Sequence, residues 1–384
     1  MATKDTPQGS NSTRSRSRNR QVVLALIQSH GQMGRAEIAR TLGLSTQAVS
    51  NIIAELLEEE LLREMGTRST GRGLPAVLYG LNPPGAYALG IEIRPNAVFA
   101  ALLDLSGEVV FERRAQVISA TSDAICDILV DMRSAALAKV DAPLDRLLGA
   151  GVVMPGPFGN TGLSGQGTDL PGWQDVAAQP LFQNALGVPV EVSNDANAAA
   201  MAERIIGAAK DVRSYAYLYC GTGLGLGLVS QGHLIPGAFG NAGEIGHIPV
   251  PVPGGVAPLE TTLSRVSVSH HLRGEGKEII GYDELATLAA GGDSGLDVWM
   301  DQAASALACA MQIIENLFDP QTVILGGAMP PKILDQLISR TVLPKNSVSN
   351  RADSPLPRLQ AGVCGPMTVT HGAAALILNK TLSP

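Results

Sequence analysis

Polar residues suited to holding a small molecule gather in one part of this 384-residue chain. Asn194-Asp195-Ala196-Asn197 follows the β-rich run 188–192 and opens an alanine-rich stretch, so Asp195 stands where a strand ends and a helix begins. In open α/β sheets a carboxylate at that place lines the crevice at the carboxyl ends of the strands. It can equally cap the helix, and one role does not exclude the other. A second strand, 215–219, runs into Gly221-Thr222-Gly223-Leu224-Gly225-Leu226-Gly227. Alternating glycines let a backbone approach a ligand closely and expose its N–H groups. The lysine and Ser/Thr of a P-loop are missing. Gly243-Glu244-Ile245-Gly246-His247 and Leu259-Glu260 come next. Cys126, Cys220, Cys309 and Cys364 are far apart, form no metal-ligand spacing, and read as buried thiols in a reducing compartment.

The elements that must position these residues are those of an α/β protein. Hydrophobic residues make up 45% and aromatic residues 4%, with 43 glycines and 24 prolines, which excludes a fibrous or mainly disordered chain. From Tyr87 onward, strands are expected at 88–93, 98–105 and 109–113, a helix at 121–139 and a buried strand at 148–153: a mixed sheet covered by helices. No window offers about 18 uninterrupted apolar residues, so neither a membrane span nor a signal peptide is expected, and the cytoplasm is the expected location.

The first 80 residues differ from the rest. They hold ten Lys/Arg against seven Asp/Glu, whereas the remainder holds eighteen against twenty-eight. An acidic body repels nucleic acid, so any DNA contact belongs to the first 80. Residues 1–18 read as a disordered basic tail, or as an arm in which Arg14, Arg16, Arg18 and Arg20 reach phosphates or a minor groove. Helical spacing then gives one helix carrying Val22, Val23, Leu26 and Ile27, a short second ending at Gly43, and a third capped by Ser45 with Val49, Ile52, Ile53, Leu56 and Leu57 inward. Strand, the basic loop Gly66-Thr67-Arg68-Ser69-Thr70-Gly71-Arg72-Gly73 and a second strand follow, so 19–81 reads as a winged helix-turn-helix. Ser45, Thr46, Gln47, Ser50 and Asn51 lie on the exposed face of the third helix, where Gln and Asn can pair with adenine. Arg68 and Arg72 in the wing would hold phosphate or enter the minor groove. A helical bundle used for dimerisation is the competing reading. Asn82-Pro83-Pro84-Gly85 marks a stiff boundary.

The order NDANAAA, GTGxGxG, GExGH, LE from residue 194 to 260, with Leu170-Pro171-Gly172-Trp173 before it, resembles the ROK family of repressors, open reading frames and sugar kinases from about residue 82 to the end. The resemblance implies an actin-like (ribonuclease-H-like) body of two α/β lobes: 82–195 completed by 367–384, and 196–366. It also implies a sugar in the cleft between them. Asn194, Asp195, Glu244, His247 and Glu260 fall at sugar-contacting positions, and Gly156 is a weaker correspondence. Their chemistry suits hydroxyl groups: carboxylates accept, while an amide and a neutral imidazole both donate and accept. In the family's kinases the Asp at position 195 is the base. The Ile324-Leu325-Gly326-Gly327 segment resembles the family's adenosine-side glycines, and Asp169 has no assigned role.

Two departures separate this chain from the kinases. Where they carry Asp-Ile-Gly-Gly-Thr-Lys around ATP phosphates, it reads Glu92-Ile93-Arg94-Pro95-Asn96-Ala97. Both glycines are gone and Pro95 lacks an N–H. Arg94 offering its charge to a phosphate is the contrary possibility. Where the family commonly binds zinc through cysteines, Pro251, Pro253 and Pro258 stand instead, leaving no normal ligand set. The expectation is therefore a sugar-responsive, DNA-binding repressor without kinase activity, cofactor or metal, acting on operator DNA as a homodimer or homotetramer. The alternative is a sugar kinase with a DNA-binding appendage, or a repressor that senses a partner protein.

Overall fold

The computed structural model describes residues 12–69, 75–156, 158, 173, 176–252, 254–278 and 281–383. Arg72, Asp169 and Pro253 lie outside them. The amino-terminal unit comprises α1 (Ser12–His30), β1 (Met33–Gly34), α2 (Arg35–Leu42), α3 (Thr46–Glu58), β2 (Leu62–Arg68) and β3 (Ala76–Leu81), with the strands ordered β1-β3-β2. Apolar side chains at helical spacing (Val49, Ile52, Ile53, Leu56) bury one face of α3, and Ser45 caps it by accepting from the Ala48 N–H at 3.1 Å. Gly43 closes α2 in the left-handed conformation, setting the turn between the two helices.

One boundary differs from the sequence expectation. Helix α1 starts at Ser12, so residues 12–18 are helical instead of tail; residues 1–11 are outside the described set. The cause is electrostatic. Arg16 and Arg20, one turn apart, meet Glu55 of α3 and Glu59 at its C-cap, one turn further on; Arg20 Nη1 donates to Glu59 Oε1 at 2.7 Å and Arg16 pairs with Glu55. Ion pairs between matched one-turn spacings favour continuing the helix at its amino-terminal end. These two arginines are thus engaged within the head and do not form a free arm.

The body contains two sheets of like construction. The first takes β4 (Tyr87–Arg94), β5 (Ala97–Asp104), β6 (Val109–Gln116), α4 (Ser122–Lys139), β7 (Leu147–Val153), α5 (Ala178–Leu186) and β8 (Val190–Ser193), in the order β6-β5-β4-β7-β8. Then come α6 (Asp195–Ile205), β9 (Tyr215–Cys220), β10 (Leu224–Ser230), β11 (His233–Leu234), the hairpin β12 (Pro249–Val252) and β13 (Gly255–Pro258), α7 (Arg265–Gly274), α8 (Tyr282–Gly291), α9 (Ser294–Phe318), β14 (Val323–Gly327), α10 (Pro331–Arg340) and β15 (Leu359–Ala361). The second sheet runs β11-β10-β9-β14-β15. Each sheet pairs three strands antiparallel and adds two parallel ones. That repetition is the two-lobed, ribonuclease-H-like architecture.

Helix α11 (Thr368–Leu382) packs on β4, β5 and β7 of the first sheet, while α6 packs on β9 and β10 of the second; the two helices pack on each other between the lobes. Their glycine and alanine content follows from that approach, since a Cβ at Gly372 would collide with the Ala198 carbonyl. The buried side chains of the head, α6 and α11 form one continuous apolar cluster. Cys220 is buried and the other three cysteines are partly exposed, all as free thiols. Among the described residues, no helix is long and apolar enough to cross a membrane.

Candidate functional site

The exposed face of α3 carries Thr46, Gln47 and Asn51, with Ser45 at its cap and Ser50 half-buried. Gln47 Nε2 donates to Asn51 Oδ1 at 3.0 Å, so the two amides are braced against each other one turn apart. Arg68 at the end of β2 lies 3.7 Å from Glu37 of α2. Arg35, Arg40 and Arg63 are also exposed in this unit and were not singled out by the sequence pattern. Arg35 stacks over the Tyr79 ring at 5.2 Å.

The second group of residues converges between the lobes. Asn194 caps α6, its Oδ1 accepting from the Asn197 N–H at 2.9 Å, so the cap is Asn194 and not Asp195. Asp195 Oδ1 accepts from the Ala196 N–H at 2.8 Å. His247 bridges two carboxylates: Nε2 lies 3.9 Å from Glu244 and Nδ1 lies 3.7 Å from Glu260. A Cβ at Gly156 would lie 3.8 Å from Glu244 Oε1 and 4.0 Å from Asn194, which places that loop beside the same group. Gly223 and Gly246 pack against Glu260, where a side chain would come within 2.7 and 3.0 Å of Oε2. All six residues expected from the sequence therefore stand together.

The electrostatics suit hydroxyl recognition. Burial pushes the Asp195 carboxyl up to about 6, countered by the Ala196 N–H and reinforced by the charges of Glu92 and Glu244. Glu244 is also raised, first by burial, with His247 opposing and Glu260 adding. Carboxylates held at a desolvation cost are strong acceptors for sugar hydroxyls that bury them further.

A family model described as "ROK family" matches residues 88–380. The chain belongs to the ROK family. A model for a winged helix-turn-helix DNA-binding unit matches residues 16–63. Among relatives, a xylose repressor of Bacillus spizizenii is 26% identical over 330 residues, covering 84% of this chain and 85% of that protein. The repressor Mlc of Escherichia coli is 25% identical, covering 81% of each. A crystal structure of a ROK transcriptional regulator, a homologue of Escherichia coli Mlc, has the same fold with a TM-score of 0.73 at 24% identity, covering 96% of this chain and 98% of that one.

The two segments singled out as departures in sequence each form a hairpin. The turn between β4 and β5 is reduced to Pro95-Asn96, with Arg94 opposite Ala97. Arg94 folds back, Nε donating to Glu92 Oε1 at 2.6 Å with its guanidinium over the Phe99 ring at 4.4 Å. Glu92 is buried and also accepts from Thr370 Oγ1 at 2.8 Å, a partner from α11 that no sequence signal reveals. The zinc segment of other ROK proteins is a proline-bearing hairpin, with Pro249 opposite Pro258 and Pro251 opposite Val256. Proline side chains offer no metal donor, so Pro251 and Pro258 do not fit a ligand set of the kind expected there.

One contact crosses the cleft unannounced by sequence. Asn241 accepts from the Phe158 N–H at 2.8 Å and donates to its carbonyl at 2.9 Å, joining the loop before Glu244 to the loop after β7.

Proposed function

We propose that this ROK protein is a sugar-responsive DNA-binding transcriptional regulator, a repressor of a carbohydrate-utilisation operon, that binds an unphosphorylated sugar between its lobes and has no kinase activity. One observation carries the reading. The hydroxyl-binding set Asn194, Asp195, Glu244, His247, Glu260 and Gly156 is assembled, while the turn that would cradle ATP phosphates is a two-residue hairpin plugged by Arg94. Without an ordered phosphate, Asp195 accepts a hydrogen bond from a sugar hydroxyl whose oxygen has no phosphoryl group to attack. The relatives named repressors favour the same side.

Ser45, Thr46, Gln47, Ser50 and Asn51 read bases from α3, and Arg68 and Arg72 hold the flanking backbone. Two copies related by a two-fold axis would place two heads on a symmetric operator in the cytoplasm. Asn51→Ala should weaken binding to a duplex selected by the wild-type protein by about 1–3 kcal/mol and relax its sequence preference. Arg68→Ala should instead weaken all duplexes alike and flatten the salt dependence. Selection from random duplexes followed by titration at two salt concentrations distinguishes them; identical losses on random and selected DNA in Asn51→Ala would remove α3 as the reader.

The sugar is identified by melting the protein with hexoses, amino sugars, pentoses and polyols, each with and without Mg-ATP. A sugar at 100 times its Kd adds about 2.7 kcal/mol. A shift indifferent to ATP is expected. An ATP shift accompanied by steady ADP formation would replace this reading with the sugar kinase.

A further inference from the structure

In the regulator reading, a sugar in the cleft has to act on helices that contribute nothing to the cleft. Helix α6 spans the gap. Its cap and first residue, Asn194 and Asp195, belong to the sugar-type site. Nine residues on, about 14 Å along a helix, Arg204 Nε donates to Asn379 Oδ1 at 3.0 Å and Nη2 to Ser383 Oγ at 3.3 Å. Asn379 lies in the last turn of α11 and donates to the Gly232 carbonyl at 3.3 Å. The next residue, Lys380, accepts at its carbonyl from Gln21 Nε2 of α1 at 2.7 Å. Cleft, α6, the last turn of α11 and the DNA-binding head are thus in continuous contact.

Arg204 is a costly residue for a purely structural task. It is half-buried, and among the described residues its hydrogen-bond partners are neutral and no carboxylate pairs with it. Burial pushes its pKa down, with Tyr215 opposing and Arg213 adding to the effect. Withdrawing part of a guanidinium from water costs free energy that an apolar residue of the same volume would not. The neighbouring loop is nevertheless shaped to admit it: a Cβ at Gly232 would come within 2.6 Å of Nη2.

The head has a second anchor. Arg146 pairs with Glu60 and its Nη1 donates to the Gly85 carbonyl at 3.1 Å, while Asn82 Nδ2 donates to the Glu60 carbonyl at 2.7 Å. That anchor belongs to the first lobe alone. The Gln21 anchor sits on the last turn of α11, a first-lobe helix, and that is the turn that Arg204 and Gly232 tie by side-chain hydrogen bonds to the second lobe. A shift of α6 against the first lobe pulls on that turn through Arg204, whereas the Arg146 anchor has no such tie among the described residues.

We propose that Arg204 is a positioning residue that ties the end of α6 remote from the sugar-type site to the turn of α11 on which Gln21 rests, so that movement of α6 at the cleft tilts the winged helix. The proposal takes its purpose from the regulator reading, and its test separates the two. Arg204→Met, which keeps the stem and removes the donors, and Gln21→Ala on the surface are compared with wild type as full-length chains. Two quantities are read: amide hydrogen exchange in α1, and the factor by which D-xylose changes affinity for a duplex selected by the wild-type protein. Both variants should exchange α1 amides at least tenfold faster with β4, β7 and β9 unchanged. The sugar factor should fall towards one, while sugar-free DNA affinity changes less than threefold. Unchanged α1 exchange in both variants, or an undiminished sugar factor, overturns the proposal. If D-xylose leaves wild type unaffected, xylose has failed as the effector; α1 exchange still decides the role of Arg204.

Discussion

Asp195→Asn should make the sugar-free protein more stable at neutral pH while depriving it of its sugar. The carboxyl is raised from 3.8 to about 6, chiefly by burial and then by Glu92 and Glu244. Native protein therefore holds this proton more tightly than the unfolded chain does. By linkage, the cost is absent below about pH 4, grows as pH rises from 4 to 6, and is complete above. At 1.36 kcal/mol per pKa unit the full shift corresponds to about 3 kcal/mol. Asp195 is partly open to the cleft, and solvent screening brings the expected gain to about 1–3 kcal/mol. Asn retains an oxygen for the Ala196 N–H, so the helix start survives. It loses the charge, and a hydrogen bond to a charged group is worth about 1.5–3 kcal/mol, so the sugar should bind ten- to a hundredfold more weakly. Urea unfolding from pH 4 to 8 should show a difference near zero at pH 4 that reaches a plateau above pH 7. A difference independent of pH would mean that Asp195 titrates normally and that the cleft does not desolvate it.

That a stabilising change should weaken binding fits the molecule's division of labour. The head and sheets carry their instructions locally: Ser45 before an apolar stripe, Gly43 at a left-handed stop and alternating apolar strands are each decisive within ten residues. The cleft was legible in two ways. Asp195 stood out at a strand-to-helix junction, whereas Asn194, Glu244, His247 and Glu260 were legible only through the resemblance to ROK motifs; the β12–β13 hairpin lies between His247 and Glu260. What sequence could not show was pairing between distant segments. Glu92 meets Thr370 across 278 positions, and Arg204 meets Asn379 across 175. Neither has a spacing rule, because the contact exists only once α11 returns to the first sheet. The extension of α1 to Ser12 was missed differently. Arg16 and Arg20 resemble a nucleic-acid arm until Glu55 and Glu59 are seen at matching one-turn spacing. An arginine-rich segment is a free cationic arm only if the fold offers it no carboxylates, and here α3 does.

Gly243→Ala should cost about 4 kcal/mol or more and remove sugar binding without touching a sugar-type side chain. Two penalties coincide at this position. Its φ of +95° lies where side-chain-bearing residues are strained by about 1–2 kcal/mol or more, and a Cβ would collide with the Leu226 carbonyl, a backbone atom of a central strand that cannot yield. Gly243 O also accepts from Leu226 N at 2.9 Å and from Ile245 N at 2.7 Å, so this residue fastens the Glu244 turn to β10. Displacing it carries Glu244 and His247 away from Asp195, so the hydrogen-bonding groups no longer converge on one ligand. Gly240, in the same loop at φ +83°, provides the control: a Cβ there meets nothing closer than the Phe158 ring at 3.6 Å. Gly240→Ala should therefore cost only the backbone strain, about 1–2 kcal/mol, and leave the sugar bound. Urea unfolding and the sugar-induced melting shift, measured on both variants, separate strain from collision. Equal losses would show that the Gly243 turn is not held against β10, and with it the fixed placement of Glu244 would fall.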